Sequence, residues 1–146
     1  MRLMLDTNIL ARLCHPSSHR DVQEWFRRLL LRGADAPEFL VSVLADYELR
    51  RMLARIGAGA SLAQFDNLAR SMTYVPVTPE ATRRAADIWE QVRRGSATTA
   101  RPPLSDADIL MAAQAELEGA VLVTSDRAIR TIAGITAKDW NEVEAT

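Results

Sequence analysis

Short apolar runs alternate along this chain with longer segments of helical periodicity, and that alternation restricts the fold more than any other feature. Arg2 to Leu5 is mostly apolar and ends at Asp6, which predicts a buried strand at the start of the chain. Thr7 to about Cys14 and Ser18 to about Leu31 predict two helices, the second marked by Val22, Trp25, Phe26, Leu29 and Leu30, with His15-Pro16-Ser17 between them. Phe39 to Val43 predicts a second strand. A helix follows on which Leu44, Leu49, Met52, Leu53 and Ile56 share an apolar face, and it stops at Gly57-Ala58-Gly59. Ser61 is expected to cap a helix through Met72, Tyr74 to Val77 to form a third strand, and Thr78-Pro79-Glu80 to start a helix to about Arg94. Ser105 opens a helix to about Leu117, Ala120 to Thr124 reads as a buried strand, Asp126 to Ile132 as a short helix, and Ile135 to Trp140 as a last strand. Parallel strands need long crossovers and helices supply them, so the pattern predicts an α/β class. The expected architecture is three layers, α/β/α, around a small parallel sheet of about four to five strands.

The chain's 146 residues, 48% of them hydrophobic, suffice for one domain, 1–146, with its own core. A net charge of -1 excludes bulk positive charge as the means of meeting a polyanion, so any nucleic acid must find a local basic patch. Cys14 is the only cysteine, and no charged leader with an apolar stretch precedes the first strand; a reducing cytoplasm is the expected location. Arg or Asp interrupts every long apolar run, which argues against a membrane span. Gly95 to Pro103 is the one low-complexity stretch and reads as a surface loop.

In doubly wound sheets, ligands bind beyond the carboxyl ends of the strands. Asp6 directly follows the first strand, Asp126 follows the Ala120 to Thr124 strand, Glu48 lies early in the helix after the second strand, and Asp108 lies in the first turn of the helix opened by Ser105. Two carboxylates about 4 Å apart repel by roughly 4 kcal/mol at an effective dielectric of about 20, so four converging acids need a counter-charge. An all-oxygen set without Cys or His suits a hard ion such as Mg2+ or Mn2+. The matching chemistry is phosphodiester hydrolysis by a metal-activated water, with no protein nucleophile. Each acid also has a plainer reading. Asp6 and Asp126 fit helix caps, Ser105-Asp106-Ala107-Asp108 fits a capping box, and Glu48 fits a surface ion pair with Arg51. Asp46 and Asp106 are nearby rivals as ligands.

Taken together, Met4-Leu5-Asp6-Thr7-Asn8-Ile9-Leu10, Ala45-Asp46-Tyr47-Glu48-Leu49-Arg50-Arg51, Ser105-Asp106-Ala107-Asp108-Ile109-Leu110-Met111-Ala112-Ala113 and Val123-Thr124-Ser125-Asp126 resemble the four signature blocks of the PIN domain, in order and across nearly the whole chain. The resemblance implies a metal-dependent ribonuclease with Asp6, Glu48, Asp108 and Asp126 as catalytic and metal-binding acids. It also implies frequent membership of toxin–antitoxin pairs as a VapC-like toxin, hence a cognate antitoxin and a homodimer as partners besides RNA. Thr7, Asn8 and Thr124 fall at supporting positions, the two threonines orienting a carboxylate or metal-bound water, or else capping backbone. Met111 departs from the usual Ile but still suits a buried helix face.

Seventeen of the 18 basic residues are arginine, which suits bidentate phosphate contacts, and Arg50, Arg51 and Arg101 are the candidates for RNA binding beside the acids. His15 and His19 read as loop residues, and Trp25, Trp89 and Trp140 as core or partner contacts. A non-catalytic RNA-binding or protein-interaction module on the same fold is the alternative function. A magnesium-dependent phosphatase working through an aspartyl intermediate would want a second aspartate two residues after Asp6, where Asn8 stands.

Overall fold

The computed structural model describes residues 1–96 and 104–143. Five strands, β1 (Arg2–Leu5), β2 (Glu38–Ser42), β3 (Thr73–Val75), β4 (Val121–Val123) and β5 (Ala137–Lys138), form one sheet in the order β3-β2-β1-β4-β5. Every pairing is parallel. Six helices connect or flank them: α1 (Thr7–Leu13), α2 (Arg20–Leu30), α3 (Val43–Arg55), α4 (Gly59–Ala69), α5 (Pro79–Ser96) and α6 (Asp106–Leu117). Successive strand residues point to opposite faces, and Leu3, Met4 and Leu5 are all fully buried. Both faces of the central strand are therefore covered, as the alternating pattern predicts. The chain builds outward from β1 to β3 on one side and then returns to the other side at β4, so the direction of winding reverses between β1 and β4.

Helix boundaries follow from local chemistry. Asp6 caps α1 by accepting from Thr7 N (2.7 Å), and Ser42 caps α3 by accepting from Leu44 N (3.1 Å). Helix α3 ends in a Schellman motif: Gly57 takes φ +69°, its N–H reaches Ala54 O (3.2 Å), and Ala58 N reaches Leu53 O (2.9 Å). Arg2–Leu5 and the buried stripe Val22, Trp25, Phe26 and Leu29 of α2 match the periodicity. Met111 is buried in α6, a helix whose alanines let it pack closely on several sides.

Several expectations change, among them the third strand, which is Thr73–Val75, and the end of α4, which comes at Ala69. Val43 belongs to α3 rather than to β2, because Ser42 already turns the chain. Helix α4 begins at Gly59, so Ser61 is buried within its first turn and caps nothing. Helix α5 continues through Gly95 and Ser96, and the rest of the expected loop, 97–103, with Arg101, lies outside the described residues. After Asp126 there is only a 3-10 turn, Ile129–Thr131, since the Asp126 side chain accepts from Ala128 N (2.9 Å) and holds a local turn instead of a helix start. The last strand is two residues long, because Asp139 opens a further 3-10 turn with a reciprocal cap to Glu142. Trp140 leaves the sheet there and stacks edge-on against Trp25, their centroids 6.2 Å apart. Among the described residues no helix is long and apolar enough to cross a membrane.

One polar link braces the carboxyl edge from within. The buried Ser42 hydroxyl donates to Gln114 Oε1, while Gln114 Nε2 donates to Val75 O (3.2 Å), so α6 is tied to the ends of both β2 and β3. Gln114→Leu would take the Nε2 donor from the Val75 carbonyl and leave the Ser42 O–H without its acceptor in the core, although Ser42 Oγ would still accept from Leu44 N. A loss of about 2 kcal/mol is expected, or a fall in Tm of about 4–8 °C. Urea or thermal unfolding checks it, and a Tm equal to the parent's would show that Gln114 contributes only volume.

Candidate metal centre

Because every strand is parallel, all carboxyl ends lie along one edge, and the reversal between β1 and β4 opens a crevice there. Asp6 leaves β1 and Asp126 lies just beyond β4; α3 brings Glu48 and α6 brings Asp108. All four line a single cleft of about 700 Å³, together with Thr7, Asn8, Ser105, Arg51, Met52, Arg55 and Ile56. The sequence-predicted acids thus come together from four separate parts of the chain.

The plainer readings hold for Asp6 and Asp108, whereas Asp126 closes a turn rather than capping a helix and Arg51 acts on Glu48 through charge without a salt bridge among the described residues. Asp6 is both the cap of α1 and a wall of the cleft. Asp108 closes its capping box with Ser105, donating N–H to Ser105 Oγ (3.1 Å) while its Oδ2 accepts from Ser105 N (3.2 Å). Asp126 anchors its local turn. Capping therefore fixes these carboxylates at the cleft wall without removing them from it.

Thr124 connects two of the acids. Fully buried, it donates from Oγ1 to Asp6 Oδ2 (2.6 Å) and accepts from Asp126 N (3.0 Å). With Thr7 N on the other oxygen, both oxygens of Asp6 are held. Beyond it, Ser125 donates to Asp139 Oδ1 (3.0 Å), pinning the loop that carries Asp126.

Electrostatics concentrate on two of the four. Burial pushes the Asp6 carboxyl up from its ordinary range; hydrogen bonds from Thr124 and Thr7 oppose this, and the charges of Asp108 and Asp126 add to it. Glu48 is likewise raised, first by burial and then by Asp108 and Asp6, with Arg51 and the neighbouring Thr7 hydroxyl acting against. Yet Glu48 Oε1 and Thr7 Oγ1 are both buried without a hydrogen bond of good geometry. An orphaned carboxylate oxygen facing other carboxylates is a poor structural element and a good ligand atom. The donor set is entirely oxygen, which fits Mg2+ or Mn2+. The acids line a cleft rather than close a cage: among the described residues no three Asp, Glu, His or Cys side chains stand within joint chelating reach.

The arginines divide. Arg50 pairs with Asp46 (2.6 Å) and Asp66 of α4 (2.7 Å) and lies over the Phe65 ring, so it is committed to the α3–α4 contact and not to the cleft. The same pairing accounts for Asp46. Arg51 does line the cleft. Asp106 borders a separate apolar depression with Trp89 and Leu110. Met52 and Ile56, expected on the apolar face of α3, are 41% and 67% exposed and line the cleft with Arg55, which carries no expectation from the sequence. Their signal was present: Arg51, Met52, Arg55 and Ile56 stand three, four, seven and eight residues after Glu48, on one helical face. His15 accepts from Ser17 N and Ser18 N in its loop, away from the acids.

Fold and cleft together define a doubly wound α/β protein with an acidic centre at its switch point. The chain belongs to the PIN domain family, whose model matches residues 3–135. It is similar in structure to VapBC2 from Rickettsia felis, bound to a DNA fragment from its promoter (TM-score 0.75, 20% identity, covering 96% of this chain and 99% of that one). A toxin-antitoxin complex from Klebsiella pneumoniae is also similar (TM-score 0.68, 16% identity, 94% and 97% covered), as is Mycobacterium tuberculosis VapC20, described as a Sarcin-Ricin loop cleaving toxin (0.57, 18%, 92% and 98%). No curated protein sequence matches at a significant level.

Proposed function

We propose that this protein is a divalent-metal-dependent endoribonuclease, hydrolysing RNA phosphodiesters as the toxin of a toxin–antitoxin pair. The observation that carries this reading is the convergence of Asp6, Glu48, Asp108 and Asp126 on one cleft, with a buried Glu48 oxygen that makes no hydrogen bond of good geometry. These four acids would hold Mg2+ or Mn2+. When bound, such an ion supplies positive charge to the phosphate and activates water for attack. The protein's own contribution is positioning: Thr124 and Thr7 N–H fix the Asp6 carboxylate, Thr124 also holds the turn bearing Asp126, and α3 carries Glu48 opposite them. Asn8 lines the same wall, where an amide can orient a substrate oxygen without competing as a base.

RNA as substrate is supported by the similarity to a Sarcin-Ricin loop cleaving toxin, and a cognate antitoxin by the toxin–antitoxin complexes among similar structures. A cytoplasmic homodimer belongs to the same reading. Incubating the protein with mixed single-stranded and structured RNAs is expected to give cleavage with Mg2+ or Mn2+ and none with chelator. Cleavage indifferent to chelator would overturn the metal assignment. Binding without cleavage under every metal condition would return the chain to the non-catalytic module.

A further inference from the structure

The acids occupy only part of the cleft. Its α3 wall continues past Glu48 through Arg51 and Arg55, with Met52 and Ile56 beside them. Among the described residues neither arginine makes a salt bridge, although the charge of Arg51 is felt by Glu48, while Arg50, their neighbour on the same helix, is held by two carboxylates. Arg51 stacks over Tyr47 (5.2 Å), which props its guanidinium without neutralising it. At 1.5 Å rise per residue, Arg51 and Arg55 lie about 4.5 and 10.5 Å along the helix from Glu48. Both charges thus lie beyond the acidic centre, where a phosphate neighbouring the reacting one would come. Met52 and Ile56, 41% and 67% exposed, present apolar surface in the same wall. Exposed apolar groups beside free guanidiniums match one ligand chemistry closely: a polyanionic strand whose base faces are open.

We infer that Arg51 and Arg55 bind backbone phosphates flanking the scissile one, and that Met52 and Ile56 pack under an unpaired base, so that this half of the cleft selects a single-stranded flank. The inference rests on the ribonuclease reading and adds where the substrate is gripped. In a net-negative protein it also answers how a polyanion approaches four carboxylates.

The test measures binding of a fluorescent single-stranded oligoribonucleotide by anisotropy, with Mg2+, in an Asp6→Asn background. Arg51→Ala/Arg55→Ala is expected to raise Kd about tenfold and to flatten the salt dependence by about 0.7 per lost phosphate contact. Arg28→Ala, an exposed arginine on α2, controls for charge and should change neither. Met52→Ser/Ile56→Ser is expected to narrow the preference for single-stranded over duplex RNA at an unchanged salt slope. If the double arginine variant matches Arg28→Ala in Kd and slope, the proposal is overturned and the guanidiniums serve another polyanion, such as an acidic peptide. Failure of the ribonuclease reading looks different: the parent chain would bind RNA yet cut none with any metal. A parent chain that binds no RNA overturns both.

Discussion

Asp6→Asn is expected to lower metal-dependent RNA cleavage by about 10³-fold or more while leaving the fold intact. The substitution is chosen because it separates the two roles the carboxylate plays. Asparagine caps a helix about as well as aspartate, so the bond from Thr7 N survives and α1 still starts where it does. The Thr124 hydroxyl now donating to Asp6 Oδ2 can turn and accept from the new amide. What disappears is one negative charge in the cleft wall, where Asp6 feels the charges of Asp108 and Asp126. If Asp6 were only a cap, Asp6→Asn would cleave RNA like the parent. Single-turnover cleavage in Mg2+ and in Mn2+, with circular dichroism to check folding, decides between them. Parent-level cleavage would sink the metal assignment at its firmest member.

Much of the frame is legible in the sequence because it is set by periodicity. The buried run before Asp6, the α2 stripe and the alanine-rich α6 each contain enough residues for a pattern to emerge, and their order demands a parallel sheet. The final segment was misread for the converse reason. Strand β5 spans two residues and is bounded by side-chain caps at Asp139, so no periodicity has room to show. Asp126 likewise follows a strand and resembles a helix cap, but its side chain closes a turn two residues on and the chain does not continue into a helix. Local hydrogen bonding decides such segments, and hydropathy is blind to it.

The site divides along the same line. Strand ends place Asp6 and Asp126, and helix starts place Glu48 and Asp108, so four acids could be found from position alone. The arginines were not, although their spacing separates them. Arg50 and Arg51 are adjacent, about 100° apart on a helix, and which one enters the cleft depends on Asp66, a residue of another helix. That pair leaves no local trace, but Asp46 four residues before Arg50 and the spacing of Arg51 from Glu48 do. Met52 and Ile56 were grouped by hydropathy with the apolar face of Leu49 and Leu53, although their spacing from Glu48 also put them on the face that carries the acid.

That face also sets a cost in stability. Glu48→Gln is expected to make the metal-free protein more stable at neutral pH and to remove most of its metal-dependent stabilisation. Burial, then Asp108 and Asp6, raise the Glu48 carboxyl in the folded state, so the native protein binds more protons there than the unfolded chain does. Stability therefore falls as pH rises from the ordinary glutamate range through the raised folded value, and above that value the full penalty is present. Glutamine carries no charge to desolvate, and its amide can donate to Thr7 Oγ1, which is buried without a hydrogen bond of good geometry in the parent. Water screens much of the repulsion at a partly exposed carboxylate, so the gain is small, about 0.5 kcal/mol or about 1–2 °C in Tm, and it should vanish below the ordinary glutamate range, where both states are protonated. Adding Mg2+ or Mn2+ should raise the Tm of the parent and narrow the gap, because a cation offsets the repulsion that glutamine has already removed. Thermal melts across pH, with and without metal, read both effects. A metal-free Glu48→Gln protein less stable than the parent at pH 7 would mean that this carboxylate is a structural partner, contradicting its unpaired oxygen and the role proposed for it.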